Sequence, residues 1–311
     1  MNISEYKIER VVEETIGEVT DYGIKLSGAP LEWNESMGEC VNVGIIDTGI
    51  DSSHPDLSQR IKKTVNFAGG NTRDASDDNG HGTHVAGIIA ASKNNFGVIG
   101  AAPMANLYVA KAFDSRGRGD DDAVIRSIDW MISNNVKIIN MSFSAPDYTE
   151  RYHNALRAAY NKNIILVCAA GNGGSGGDTM GYPAKFNETI SVAAVDINNK
   201  IASFSSKGVK TDIAAAGYEI LSCYPGGTFA RLSGTSMAAP IISGCAAILN
   251  SKAKARIGRF LTPEEMRLVM CMYAESIGKR DGRSGCGLFS FGRLQSGGKS
   301  VINEFLNGLK R

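Results

Sequence analysis

Residues 41–47 read "VNVGIID", a near-continuous apolar run that ends in an acid. Such a run fits a strand covered on both faces, closing in a turn at Asp47. Working outward, "HGTHVAGIIAAS" (81–92) is expected as a helix opening at His81, and "NLYVAKAF" (106–113) as a strand. "DDAVIRSIDWMISNN" (121–135) places Val124, Ile128 and Met131/Ile132 at helical spacing. Then come the strand "KIINMSF" (137–143), the helix "YHNALRAAYNKN" (152–163), the strand "IILVCAA" (164–170) and "TISVAAVD" (189–196). "SMAAPIISGCAAILNSK" (236–252) reads as an apolar helix opening at Ser236. "LTPEEMRLVMCMYAES" (261–276) reads as a helix with Pro263 and Glu264 in its first turn. Strands alternating with helices predict an α/β chain in one domain, its largely parallel central sheet covered on both faces. Active sites of such sheets lie at the carboxyl ends of the strands, where Asp47 and the "AGN" turn fall.

The 311 residues are 43% hydrophobic and 21% charged, which fits a soluble globular protein. A net charge of +1 supplies no bulk field toward nucleic acid or an anionic membrane. No apolar stretch has membrane-spanning length, and "MNISEYKIERVVEET" has no signal-peptide pattern. The six cysteines (Cys40, Cys168, Cys223, Cys245, Cys271, Cys286) show no metal spacing. Buried free thiols in a reducing, cytoplasmic setting are expected of them. The 36 glycines cluster near the motifs and in "GNGGSGGDTMG" (171–181).

Three strings carry chemistry: Asp47 in "VGIIDTGID", His81 in "NGHGTHVAG" and Ser236 in "SGTSMAAP". A serine hydroxyl is a weak nucleophile until a base takes its proton, and an imidazole serves when a carboxylate holds its tautomer. Each residue alone has a plainer reading, as a turn residue or a helix cap. Together, in the order Asp, His, Ser, they resemble the subtilisin family of serine endopeptidases, over about residues 22–288. The resemblance is to the intracellular subtilisins in particular. It implies a three-layer subtilisin-like fold, an acyl-enzyme mechanism and cytoplasmic protein turnover or processing.

The resemblance also assigns sites. Asn172 in "AAGNGG" matches the family's oxyanion asparagine, with the backbone N–H of Ser236 as second donor. Ser142, Phe143 and Ser144 occupy the place of a substrate-flanking segment. There Ser144 and Ala145 stand where the family has glycines, a change that narrows the groove. Gly171, Gly173, Gly181 and Tyr182 would line the primary pocket, with Asp178 close by. Calcium is implied through Asp56, the Asn94 side chain, the carbonyls of Ser92, Phe96 and Val98, and Glu18. Oxygen-only donors suit a hard cation; an Asn-rich turn is the plainer reading. His84 is expected to be structural and His54 a loop residue. Asp77, Asp78 and Asp120–Asp122 either rim the groove upstream of the scissile bond or, for the latter three, cap a helix.

Residues 1–17 are expected as a short extension that restrains activity, and residues 18–311 as the peptidase domain. The expected partners are a protein or peptide substrate and, as an assembly, a homodimer; nucleic acid and membrane are not among them. Two alternatives stand beside this reading: a protease dedicated to one peptide precursor, and a non-catalytic scaffold on the same fold.

Overall fold

The computed structural model describes residues 1–3, 6–174, 176–277, 284–293 and 301–309. Residues 4 and 5 of the expected extension therefore lie outside the described residues. The chain opens with strands β1 (Asn2–Ile3) and β2 (Lys7–Val12), then short helices α1 (Tyr22–Leu26) and α2 (Ala29–Glu32). Next come β3 (Asn42–Asp47), β4 (Ile61–Asn66), α3 (His81–Ala90), β5 (Asn106–Lys111), α4 (Asp121–Ser133), β6 (Ile138–Met141) and β7 (Phe143–Ser144). They are followed by α5 (Glu150–Asn161), β8 (Ile165–Ala169), β9 (Thr189–Val195), β10 (Ile213–Ala216), β11 (Ile220–Tyr224) and β12 (Thr228–Ser233). The last elements are α6 (Thr235–Ile257), α7 (Pro263–Tyr273), β13 (Ala274–Glu275), β14 (Leu288–Phe289) and α8 (Val301–Gly308).

Nine strands form the central sheet in the order β13-β14-β10-β9-β8-β6-β3-β5-β4. All neighbours are parallel except β13, which runs antiparallel to β14. From β3 the chain builds outward in both directions, with β5 and β4 on one side and β6 on the other. The carboxyl end of β3 is thus a topological switch point, the usual place for a site in such a sheet.

The "VNVGIID" strand is buried on both faces because it feeds two cores. Val43 and Ile45 pack with residues of α3 and α6, such as Val85 and Ile242. Ile46 faces the other way, among α4 and α5 residues such as Ile128 and Leu156. Gly44 lies beneath α4, and a Cβ there would stand 2.5 Å from Met131 Sδ. The result is the expected three-layer α/β architecture, with a layer of helices against each face of a largely parallel sheet.

Boundaries moved where capping or strand breaks intervene. α5 starts at Glu150 because the Thr149 side chain caps Tyr152 N. The expected strand 137–143 breaks at Ser142 into β6 and β7. α7 begins on a capping box in which Thr262 and Glu265 satisfy each other's backbone N–H groups.

The expectation of six free thiols is corrected. Cys271 of α7 and Cys286, just before β14, form a disulfide with Cα atoms 5.3 Å apart. They stand 15 positions apart in sequence. Their proximity follows from tertiary structure: β13 continues directly from α7 and pairs with β14, so spacing alone did not announce it. Cys40, Cys168, Cys223 and Cys245 are free as expected; the last three are buried, and Cys40 is exposed where a buried thiol was expected. Among the described residues no helix is long and apolar enough to cross a membrane.

Candidate active site

Asp47 is the last residue of β3, a strand buried on both faces, and His81 the first of α3. Two features bring them together. Gly80 before His81 has φ +103, a left-handed turn that favours glycine. Gly82 after it lies so close to the Asp47–Gly49 turn that a Cβ would stand 2.2 Å from Gly49 O. Gly82 N also donates to Thr48 Oγ1 at 2.9 Å. His81 Nδ1 then meets Asp47 Oδ1 at 2.7 Å, both side chains fully buried. The partner assigns the tautomer: Nδ1–H donates to Asp47, so Nε2 carries the lone pair. Among the described residues His81 Nε2 and Asp47 Oδ2 have no hydrogen-bond partner.

Ser236 lies in the first turn of α6, a helix of 23 residues whose dipole places positive potential at this end. Its hydroxyl donates not to His81 but to Ser142 O at 3.0 Å. Ser142 Oγ returns the bond to Ser236 O at 3.1 Å. The aspartate–histidine link is therefore made and the histidine–serine link is not. Asn172 follows β8, and its Oδ1 accepts from both Thr235 N and Thr235 Oγ1 at 2.9 Å. This fixes the amide plane. Its Nδ2 stands beside Gly234, where an added Cβ would be 3.2 Å away.

The N-terminal residues occupy the groove. Asn2 and Ile3 pair antiparallel with Ser144 and Phe143 on one side. On the other, Ile3 N donates to Gly117 O, Asn2 bridges Arg118, and the Met1 amine donates to Gly119 O. Tyr6 then lies over His81 with ring centroids 4.8 Å apart, its hydroxyl donating to Asn79 Oδ1 at 2.9 Å. β2 continues as an antiparallel partner of β12, which ends three residues before Ser236. Sequence reading missed this crossing. β2 is short and largely exposed, and its partner lies more than 200 residues away.

Beside this groove lies a pocket of about 450 Å³ lined by Ser144, Gly171, Asn172, Gly173, Asp178 and Gly181. Of the residues expected to line the primary pocket, Gly171, Gly173 and Gly181 come together with Asp178 nearby, and Tyr182 is not in the lining. The acids expected at the rim are largely engaged elsewhere. Asp77 accepts from Thr48, Gly80 and Thr83, and Asp78 pairs with Lys111 at 2.6 Å. Asp120 caps α4, Asp121 binds Thr149, and Asp122 pairs with Arg151. The capping arrangement holds for Asp120, and the other two serve local contacts.

The residues expected to hold calcium also gather. Asp56 accepts from Val98 N at 2.9 Å and from the Asn94 amide at 2.9 Å. Glu18 accepts from Asn94 N and Asn95 N, and Val19 bridges Val98. Burial pushes the Asp56 carboxyl above its usual range, and the Glu18 charge adds to this. Among the described residues neither carboxylate makes an ion pair, and buried Ser92 Oγ lacks a partner. Two carboxylates, an amide and loop carbonyls without a protein cation make a donor set that fits a hard metal ion.

Asp56 is also within 4.8 Å of His54 and Cys223. Both His54 nitrogens are already engaged, Nε2 with Thr228 O and Nδ1 with Asp56 N. His54 lies in a loop, as expected, and is buried and bonded there. His84 is fully buried, with Nε2 3.0 Å from both Ile220 O and Ala230 O.

Comparison with known proteins agrees with this architecture. The family profile described as "Subtilase family" matches residues 38–292. The chain is 39% identical over 282 residues to an intracellular serine protease of Paenibacillus polymyxa, covering 89% of this chain and 86% of that protein. It is 43% identical over 250 residues to subtilisin E of Bacillus subtilis (strain 168), covering 79% of this chain and 65% of the relative. It is 38% identical over 269 residues to the major intracellular serine protease of the same strain, covering 83% and 84%.

Proposed function

The chain belongs to the subtilase family, and from that premise we propose that its peptide hydrolysis runs on Asp47, His81 and Ser236. It is a subtilisin-family serine endopeptidase, a hydrolase of protein or peptide substrates. The relatives do not favour a protease dedicated to one precursor or a non-catalytic scaffold. The observation that carries the residue assignment is the buried 2.7 Å Asp47–His81 contact with His81 Nε2 left without a partner.

In this reading Ser236 Oγ leaves Ser142 O and turns to His81 Nε2. The hydroxyl oxygen attacks the substrate carbonyl carbon while His81 accepts its proton, and Asp47 stabilises the imidazolium. Asn172 Nδ2 and Ser236 N donate to the developing oxyanion. Collapse breaks the C–N bond, and His81 gives the proton to the leaving amine. Water, deprotonated by His81, then attacks the acyl ester; the ester C–O bond breaks and His81 returns the proton to Ser236 Oγ.

Residues 1–17 act as an internal restraint, residues 18–311 being the peptidase domain. The support is that Asn2–Ile3 and Tyr6 lie where a substrate would bind. A tethered strand has a high effective concentration, so weak contacts suffice. Glu18, Asp56, Asn94 and the carbonyls of Ser92, Phe96 and Val98 would hold calcium. The ion would supply fixed positive charge to a loop that carries two carboxylates. A cytoplasmic location is supported by likeness to two proteases named intracellular.

A fluorophosphonate probe tests the assignment. Mass mapping is expected to find the adduct on Ser236, and labelling is expected to collapse in His81→Ala. An adduct at another serine, or labelling indifferent to His81, contradicts it.

A further inference from the structure

We infer that Ser144 is a specificity-determining residue that bars aromatic side chains from the primary pocket, which directs the enzyme to peptides with a small or slender, unbranched residue on the acyl side of the scissile bond. The inference rests on the reading of the groove proposed above and deepens it.

The position follows from strand alternation. In β7, Phe143 points inward, fully buried, with its ring 4.9 Å from that of Phe113. Its neighbour Ser144 must therefore face the opposite way, into the pocket. The segment cannot swing aside. Ala145 N donates to Tyr182 O at 2.9 Å and Tyr182 N to Ala145 O at 2.8 Å, which clamps β7 to the wall that carries Gly181.

The pocket walls at this level are glycines. A Cβ built on Gly181 would lie 2.0 Å from Ser144 Oγ, so the hydroxyl already fills the space against that wall. A Cβ built on Gly171, on the other wall, would lie 3.7 Å from the same oxygen, an ordinary contact distance. Neither wall has a side chain to yield. The Ser144 side chain narrows the space between them. A methyl group or a single methylene chain passes beside a hydroxyl. A ring brought against that wall needs the space that Ser144 occupies and crowds the hydroxyl against Gly181, an overpacking. Charge does not override shape here. Asp178, the carboxylate on the rim, is already paired with Lys185 at 3.3 Å and accepts from Met180 N.

The test compares kcat/KM of the full chain on three peptides identical except for Ala, Met or Phe at the acyl-side position. It is repeated for Ser144→Gly, Ser144→Ala and Ser144→Thr. One methylene-sized group in a pocket changes discrimination by roughly ten- to two-hundred-fold. Wild type is expected to turn over the Phe peptide about ten-fold or more less efficiently than the Ala and Met peptides. The Phe/Ala ratio should rise in the order Thr, Ser, Ala, Gly, with at least a ten-fold gain from Ser to Gly. Each ratio is internal to one preparation, so partial unfolding of a variant cancels. Hydrolysis with a ratio unmoved across the series, or a wild type that prefers Phe, overturns the inference alone. No hydrolysis of any peptide, together with no fluorophosphonate adduct on Ser236, overturns the reading of the groove and the inference with it.

Discussion

His84 shows what a buried residue does beside the one proposed to act. It stands one turn after His81 in "HGTH", yet its Nε2–H is shared by two strand carbonyls and its Nδ1 has no partner among the described residues. Burial holds its pKa down to about 3. The unfolded chain takes up this proton near the ordinary histidine value, about 6.5. The neutral form is therefore the one that favours the fold. Its contribution is fully present above pH 6.5 and is lost as pH falls toward 3. Unfolding free energy should decline between pH 6.5 and 4, with a slope from this residue of at most about 1.4 kcal/mol per pH unit. Denaturation across that range checks it: His84→Gln should flatten the slope by about one proton, and an unchanged slope contradicts the assignment. At this scale the sequence was most readable. Asp47, His81, Asn172 and Ser236 sit in short strings whose neighbours are small for local reasons. The Ser236 hydroxyl's turn toward Ser142 was not legible, because it depends on a side-chain rotamer and a partner 94 residues away.

Elements were legible where their pattern is local. β3 and α3 appear within two residues of the reading, and α6 opens one residue earlier and runs on to Ile257, each an apolar run with a glycine at its start or within it. β1 and β2 were not, since strand addition shows in the partner's edge more than in the added strand. Removing residues 1–17 should raise the initial rate on a small peptide, and Tyr6→Ala should do so in part by freeing the face of His81. Equal initial rates and no change in lag, with stability preserved, would make the crossing strand a bystander. The disulfide gives a second prediction. Cys271–Cys286 closes a short loop between α7 and β14, and such links contribute roughly 2–4 kcal/mol. Reductant or Cys271→Ser should lower the denaturation midpoint accordingly. A midpoint unchanged by reduction would mean that the β13–β14 edge holds without it.

For the whole molecule, the order of elements around β3 brings loops from distant parts of the chain to one edge of the sheet. Alternation of strands and helices predicted this, because parallel strands need covered crossovers. The loop proposed to hold calcium acts on the same scale. It joins Glu18 near the start to Asp56 and residues 92–98, and so ties the segment that follows the extension to the sheet. Metal-free protein should melt at a lower temperature than protein in excess calcium, since an ion bound only by the folded state adds stability by mass action. Identical melting curves would leave the loop as a hydrogen-bonded turn. The central claim is that Ser236 is the nucleophile of a fold otherwise independent of its hydroxyl. The most direct measurement is turnover of a peptide substrate by purified Ser236→Ala, with its circular dichroism and melting compared with wild type. The expected result is a native fold with kcat reduced about a million-fold, the size of loss known for the corresponding change in subtilisin. A native fold that retains turnover near wild type would contradict the account.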